Sequence, residues 1–594
     1  MVDTKPPPAT AAAPPPEASS SPRNLRSARW YDSADMRGFS HRQRTQQMGR
    51  RREEFLGRPV VAIINTWSEM SPCHIHLRER AEAVKRGVLL RGGYPVELPA
   101  LSVGEVMVKP TTMLYRNFLA METEELLRSH PIDGAVLLGG CDKSVPGMLM
   151  GAISMDLPVI LCPAGPMSNG QWRAVKTGAG THTRKYWDEL RAGNITGEDW
   201  IDLEARMTRS IGTCNTMGTA STMTSVADAL GMTFTGASSI PAADSGHVRM
   251  ASACGERIVS MIGEDLRPSK ILTPRSFHNA AVAYMALGGS TNAAIHLIAM
   301  AGRAGVTLGL DDLAEIARVT PVCANLFPSG DRLMEDFFFA GGLSALLGKV
   351  KERLALECMT VEGRTLGETL AKGAQCFDDD VIRGLGNPVV PLSRGRTLVL
   401  LRGNLCPDGA VLKSSAAQQR LLQHEGPALV FDSHAELSAR IDDPSLDVDE
   451  STVLILRNAG PVGAPGMPEW GNLPIPRKLL ARGVRDMVRI SDARMSGTHY
   501  GCCIVHAAPE AAIGDPLALV KSGDRIRLDV NMGRFDMLVA PAEIESRRAA
   551  WRAPTSPYRR SYAALYQAHV QQAPLGCDFD FLTGRAPTPE PAIY

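Results

Sequence analysis

The sequence predicts an α/β protein: an N-terminal doubly wound parallel-sheet domain followed by a C-terminal β-barrel-like domain with flanking helices. Two observations predict the first part. Apolar runs such as Val60-Val61-Ala62-Ile63-Ile64-Asn65 read as strands buried on both faces. They alternate with charged amphipathic segments, as in sheets whose strands are joined by helices. A third observation predicts the second part. After about residue 385 the apolar runs become short and lie between Gly-, Pro- and Asp-rich turns, the texture of a barrel or compact sheet.

Taken in order, residues 1–25 begin MVDTKPPPATAAAPPPEASSSP, a Pro/Ala/Ser stretch that cannot bury a core and is expected to be a disordered tail. It has no apolar h-region. An arginine-rich stretch follows (Arg37, Arg42, Arg44, Arg50, Arg51, Arg52); interrupting acids and prolines disfavour a transit peptide. From Arg58 the alternation starts: strand 60–65, helix 77–91 ended by Gly92-Gly93, strand 94–98, helix 122–129, strand 134–138 stopped at Gly139-Gly140, and strand 157–162. Residues 201–232 and 278–350 read as mainly helical, with caps at Ser290-Thr291-Asn292 and Asp311-Asp312. The domain boundary is expected near Asn387-Pro388, giving domains 26–386 and 387–594. Short β-runs then occur at 397–401, 428–431, 452–456, 487–490 and 525–529. The amphipathic, aromatic last 45 residues are expected to pack on a neighbouring subunit, and no internal repeat is visible.

Composition excludes several functions. Lys plus Arg total 64 and Asp plus Glu 63, a net charge of +1, so no global field steers the chain onto nucleic acid or an anionic membrane. No apolar run reaches the roughly 18 residues of a membrane span. Twelve cysteines are scattered through 594 residues. A chain of this size needs no disulfide staples, and a reducing cytoplasmic location leaves the thiols free or available to metals.

Three loops hold cysteines next to polar residues. Gly139-Gly140-Cys141-Asp142-Lys143-Ser144-Val145-Pro146-Gly147 follows an apolar strand, where open α/β sheets bind ligands. It reads either as a metal or acid–base site or as a solvated glycine-rich turn. Cys73 lies past the first strand in Trp67–His76, and Cys214 lies in Gly212–Ala220 before a helix. Isolated cysteines are usually small buried hydrophobes, and the spacings match no C-x-x-C zinc or ferredoxin pattern. Cys73-His74-Ile75-His76 could be read as a zinc site, but such close residues cannot close a tetrahedron without strain.

In the second domain, Asn458–Trp470 is a loop of three glycines and three prolines that presents Glu469. Ser491-Asp492-Ala493-Arg494-Met495-Ser496-Gly497-Thr498 follows the 487–490 run. A lone serine there is more often a turn residue, and there is no G-x-S-x-G elbow, Walker A or G-x-G-x-x-G between strand and helix.

Together these segments resemble the dihydroxy-acid and sugar-acid dehydratase family. NTWSEMSPC, LLGGCDKSVPGMLMGA, GTCNTMGTASTM, ALGGSTNAAIHL, GNLCPDGAVLK, GPVGAPGMPEWG and DARMSGTHYG occur in family order over about residues 37–584. GTCNTMGTASTM, MLYRN, MEDFFFAGGL and GCDFDFL look like the sugar-acid (arabinonate/xylonate) branch. The resemblance implies an iron–sulfur cluster on Cys73, Cys141 and Cys214, of 2Fe–2S type, although some relatives carry 4Fe–4S. It implies Mg²⁺ on Glu105, Asp142, Lys143 and Glu469, with Lys143 carboxylated; Glu97 is a nearby competitor for Glu105. It implies Ser496 as the general base, with Thr498 orienting it or binding substrate. The implied reaction converts a sugar acid to a 2-keto-3-deoxy acid in a homodimer or homotetramer. Two alternatives stand beside it: a dihydroxy-acid dehydratase of branched-chain amino acid synthesis, and a non-catalytic iron–sulfur binding or regulatory relative. Substrate selection is expected in loops such as 178–187. Cys502-Cys503 receive no role.

Overall fold

A computed structural model describes residues 25–514, 516–584 and 588–593. The expected disordered tail, apart from its last residue, lies outside them; that residue, Leu25, is buried. The arginine-rich stretch forms the helices Met36–Gln47 and Arg52–Phe55.

Four strands build the N-terminal sheet: β1 (Val60–Asn65), β2 (Tyr94–Pro99), β3 (Gly134–Gly139) and β4 (Val159–Pro163). Their order is β2-β1-β3-β4 and every pairing is parallel. Every residue of β1, β3 and β4 is buried, so both faces are covered, as the unbroken apolar runs require. The cover comes from packed helix pairs: Leu77–Leu90 with Ser245–Glu264, and Met113–Ser129 with Ser144–Met155. The predicted 122–129 helix starts earlier, at Met113: Leu119, Ala120 and Leu127 face the sheet core, while Leu114 is buried against the C-terminal segment. The expected 201–232 helical region divides into Gly197–Met207 and Thr219–Ala229, and the loop between them carries Cys214. A small antiparallel hairpin, β5 (Gly170–Trp172) with β6 (Val175–Thr177), precedes the helix Thr181–Ala192.

Residues 374–398 contain no helix and only isolated bridges. The C-terminal sheet follows, with β7 (Val399–Leu401), β8 (Gly409–Leu412), β9 (Gln423–Phe431), β10 (Val453–Leu456), β11 (Arg489–Ser491), β12 (Cys503–Ala508), β13 (Arg525–Asp529) and β14 (Arg534–Met537). The order is β14-β13-β9-β10-β11-β12-β8-β7. The central run β9–β12 is parallel and the outer pairings are antiparallel. The two edges meet: Arg402 N–H donates to Gly533 O at 2.9 Å and Phe535 N–H to Arg402 O at 3.0 Å, nearly closing a barrel and removing the open edges. The sequence reading missed β8, β12 and β14, which are short or interrupted by glycine and cysteine. Cys502 and Cys503 are fully buried, at and beside the start of β12, which gives them a structural role.

Part of the C-terminal segment packs on its own chain. Tyr566 and Phe579 are fully buried and cluster with Leu114 of the N-terminal half. Arg303 and Asp578, both fully buried, form a two-pronged ion pair of 2.7 and 3.0 Å. No helix among the described residues is long and apolar enough to cross a membrane.

Candidate active site

Parallel sheets collect functional groups at the carboxyl ends of their strands, and both sheets do so here. The loop after β1 carries Cys73, the loop after β2 carries Glu105, and the turn after β3 carries Cys141, Asp142 and Lys143. That turn lies tight against the loop after β4: a Cβ on Gly140 would sit 2.2 Å from the Ala164 Cβ. From the other sheet, the loop after β10 brings Glu469 and the turn after β11 brings Ser496 and Thr498. All of these except the buried Lys143, together with Cys214, line one cavity of about 560 Å³.

The three thiols converge. Cys73 and Cys141 share a thiol–thiol hydrogen bond, and this contact, burial and the nearness of Cys214 push the Cys73 thiol far up. Burial likewise raises Cys214, with Asp142 and Cys141 adding to it. All three are free thiols. Glu105 N–H donates to Cys141 Sγ at 3.4 Å. His74 fixes the Cys141 turn: its Nε2 accepts the Cys141 backbone N–H at 3.2 Å, and its Nδ1 is 2.8 Å from Ser102 Oγ. Burial, with His76 nearby, drives His74 down to about 3, so it remains a neutral acceptor. His76 Nε2 instead meets Ala164 O at 2.8 Å. The CHIH segment therefore does not gather into a zinc site.

Glu105, Asp142 and Glu469 each offer a carboxylate oxygen, and these oxygens lie within 4.8 Å of one another. Lys143 Nζ sits among them, 2.9 Å from Glu105, 3.2 Å from Glu469 and 3.3 Å from Asp142, and is fully buried. Burial and Arg494 both act to lower the Lys143 ammonium, but the three carboxylates outweigh them and hold it above its ordinary range. Asp142 is pushed up to about 6, chiefly by burial and by repulsion from Glu469 and Glu105, with Lys143 opposing. Burial also acts to raise Glu469, yet Lys143 and Arg494 beside it bring its carboxyl below the usual range. Glu97 lies elsewhere: it pairs with Lys85 at 2.6 Å and accepts from Asn65 at 2.8 Å.

Several positioning residues escaped the sequence reading. Arg494, fully buried, donates to Glu469 Oε1, Thr111 Oγ1 and Met467 O at 2.8–2.9 Å. Thr111 and Thr112 in turn donate to the two oxygens of Glu105. Asn292 Nδ2 donates to Glu469 Oε1 at 2.8 Å and to Thr219 Oγ1 at 3.1 Å. Arg494 and Asn292 stand inside quoted motifs, next to Ser496 and Thr291, so a charge or amide beside a strand or helix end was the available signal. Ser496 Oγ lies 3.0 Å from Thr498 Oγ1. Thr181 Oγ1 donates to Thr498 O at 2.5 Å, so the serine turn is held from the other half of the chain.

The N-terminal dihydroxy-acid/6-phosphogluconate dehydratase pattern matches residues 58–369 and its C-terminal counterpart matches residues 380–577. This chain belongs to the dihydroxy-acid/6-phosphogluconate dehydratase family. Within that dehydratase family it is 67% identical over 570 residues to a 6-deoxy-6-sulfo-D-gluconate dehydratase of Pseudomonas putida, covering 96% of this chain and 98% of the relative. It is 47% identical to an L-arabinonate dehydratase of Rhizobium leguminosarum bv. trifolii, covering 95% and 97%. Identity falls to 37% with a dihydroxy-acid dehydratase of Caldicellulosiruptor bescii, covering 88% and 95%.

Proposed function

We propose that this hydro-lyase removes water from C2 and C3 of a sugar acid, leaving a 2-keto-3-deoxy acid. The observation that carries the reading is the convergence of three thiols, three carboxylates and the Ser496 hydroxyl on one cavity. Higher identity to the relatives named for sulfogluconate and arabinonate, at 67% and 47%, than to the dihydroxy-acid dehydratase, at 37%, supports the same choice.

The donor sets fit the implied groups. Cys73, Cys141 and Cys214 are unpaired and adjacent, and buried thiols without a cation stay protonated; iron would turn them into thiolates. Three protein ligands suit a 2Fe–2S cluster with one position left to substrate, and a 4Fe–4S cluster makes the same demand. Glu105, Asp142 and Glu469 supply the hard oxygens Mg²⁺ prefers. As an ammonium, Lys143 is the cation that balances them; carboxylated, it would become a further oxygen ligand and leave the balancing charge to the metal. When bound, the cluster and Mg²⁺ would supply Lewis acidity for loss of the C3 hydroxyl and for holding the substrate carboxylate.

The chain's own residues then do the following. Ser496 Oγ, as the alkoxide, takes the C2 proton; the freed electron pair forms the C2=C3 bond as the C3–O bond breaks, and the departing hydroxide takes up that proton and leaves as water, restoring the alkoxide. The resulting enol tautomerises to the ketone. A serine hydroxyl is a weak acid, so its alkoxide needs positive charge close by. Thr498 Oγ1 hydrogen-bonds and orients it. Arg494 and Asn292 fix Glu469, while Thr111 and Thr112 fix Glu105, so the carboxylates are oriented before substrate arrives.

A panel assay tests the reading. Cluster-loaded enzyme with Mg²⁺ is offered pentonates, hexonates and 2,3-dihydroxyisovalerate, and 2-keto acid is measured. Sugar acids should be turned over in preference; preference for dihydroxyisovalerate would reject the reading. A colourless, iron-free protein that stays inactive after reconstitution would mark a non-catalytic relative.

A further inference from the structure

The cavity lining carries a further charged group that this chemistry does not use. Arg184, in the first turn of the helix Thr181–Ala192, lines the cavity together with Trp187, Trp200 and His499. Its side chain is only 16% exposed. Among the described residues its guanidinium has two weak polar contacts: Nε lies 3.7 Å from Asp188 Oδ2, and Nη2 donates to Leu473 O at 3.4 Å. Asp188 is shared with Arg191, also at 3.7 Å, and its Oδ1 accepts no hydrogen bond. Burial, opposed by Asp188 and reinforced by Arg489, holds the Arg184 guanidinium below its ordinary range. It is a partly buried cation with few of its donors spent.

Arg184 also stands apart from the carboxylate cluster. Its leading charged neighbours are Asp188 and Arg489, whereas the guanidinium acting on Lys143 and Glu469 is that of Arg494. Beside Arg184, His499 has a buried Nδ1 without a hydrogen-bond partner. Burial, with Arg184 and Arg489 adding, brings His499 down to about 3, so it adds a neutral polar group and no charge. Trp187 and Trp200, with ring centroids 5.6 Å apart, add apolar surface to the lining. A ligand filling the cavity would meet both the three clustered carboxylates and an under-neutralised guanidinium.

We propose that Arg184 recognises a second anionic group at the end of the sugar acid opposite its carboxylate, making the preferred substrate an aldonate that ends in a sulfonate or phosphate. The proposal rests on the sugar-acid reading of the same site. A planar guanidinium fork matches such oxyanions, and a terminal hydroxyl would leave the partly buried charge with only the distant Asp188 to balance it.

The test compares D-gluconate, 6-phospho-D-gluconate and 6-deoxy-6-sulfo-D-gluconate. kcat/KM and calorimetric Kd are measured for the holoenzyme and for its Arg184→Met and Arg184→Lys variants. The wild type should favour at least one C6 anion over D-gluconate by tenfold or more, and the separate arms tell sulfonate from phosphate. That ratio should fall at least tenfold in Arg184→Met and less in Arg184→Lys, through KM and Kd more than kcat. A wild-type ratio near one overturns the proposal, as does an unchanged ratio in Arg184→Met. If the Met variant does not fold, the wild-type and Lys ratios decide. Anion-selective binding that depends on Arg184, with no turnover of any acid, would refute the dehydratase reading and leave Arg184's role standing. Turnover of D-gluconate with no preference for a C6 anion would do the reverse.

Discussion

At the scale of single residues, the site is governed by charge held in a dry place. Lys143 lies among three carboxylates, and its ammonium is the only side-chain cation that contacts all three among the described residues. Among the described residues the only side-chain hydrogen bond of Ser496 is to the Thr498 hydroxyl at 3.0 Å, so the proposed base role calls for positive charge bound nearby. Ser496→Ala should leave the 300–600 nm cluster absorption unchanged and lower kcat at least about 100-fold, the scale of losing a general base. Spectra and steady-state rates on the same sample check this; retained turnover would remove Ser496 from the base role. Ser496 and the cysteines were legible in the sequence through their motifs. Arg494 was quoted but not assigned, because only the folded chain brings its guanidinium to Glu469 and Thr111.

At the scale of elements, the serine turn depends on how closely a glycine lets it approach. Gly180 has φ of +84°, and a Cβ there would meet Thr498 Oγ1 at 2.1 Å and Thr498 Cβ at 2.5 Å. Positive φ costs a non-glycine residue about 1–2 kcal/mol before any clash. Gly180→Ala should therefore displace Thr498 and lower kcat tenfold or more, with a smaller proportional change in thermal stability. Rates and melting curves measured together separate the two, and an unchanged kcat would show that the turn tolerates the shift. The sheet strands were readable because buried parallel strands are apolar throughout. β8, β12 and β14 were not, since barrel strands of four to six residues carry too little pattern to stand out from turns.

At the scale of the whole molecule, the chain's last segment ties its two halves together. Residues 561–582 return to the N-terminal half, where Arg116 donates to Gly576 O and Cys577 O at 2.9 and 2.8 Å. The buried Arg303–Asp578 pair lies in the same region. Removing one partner of such a pair leaves an unpaired buried charge, which costs about 3–5 kcal/mol. Asp578→Ala should show that loss in chemical denaturation, followed by a fall in activity, since the helix Asn292–Arg303 carries both Arg303 and the Glu469 partner Asn292. A loss below about 1 kcal/mol would show that the segment is not bound to the body through this pair.

By itself the sequence determined the α/β class, the parallel strands and the ordered motifs, because these are local patterns of hydrophobicity and residue type. Tertiary structure alone decided what those motifs share. Cys73, Cys141 and Cys214 are separated by up to 141 positions, and Glu469 lies 326 positions from Lys143. No local period records such distances. They become contacts because parallel strands in both sheets end on the same side, and because Gly140 and Gly180 leave room for neighbouring loops to close on the cavity.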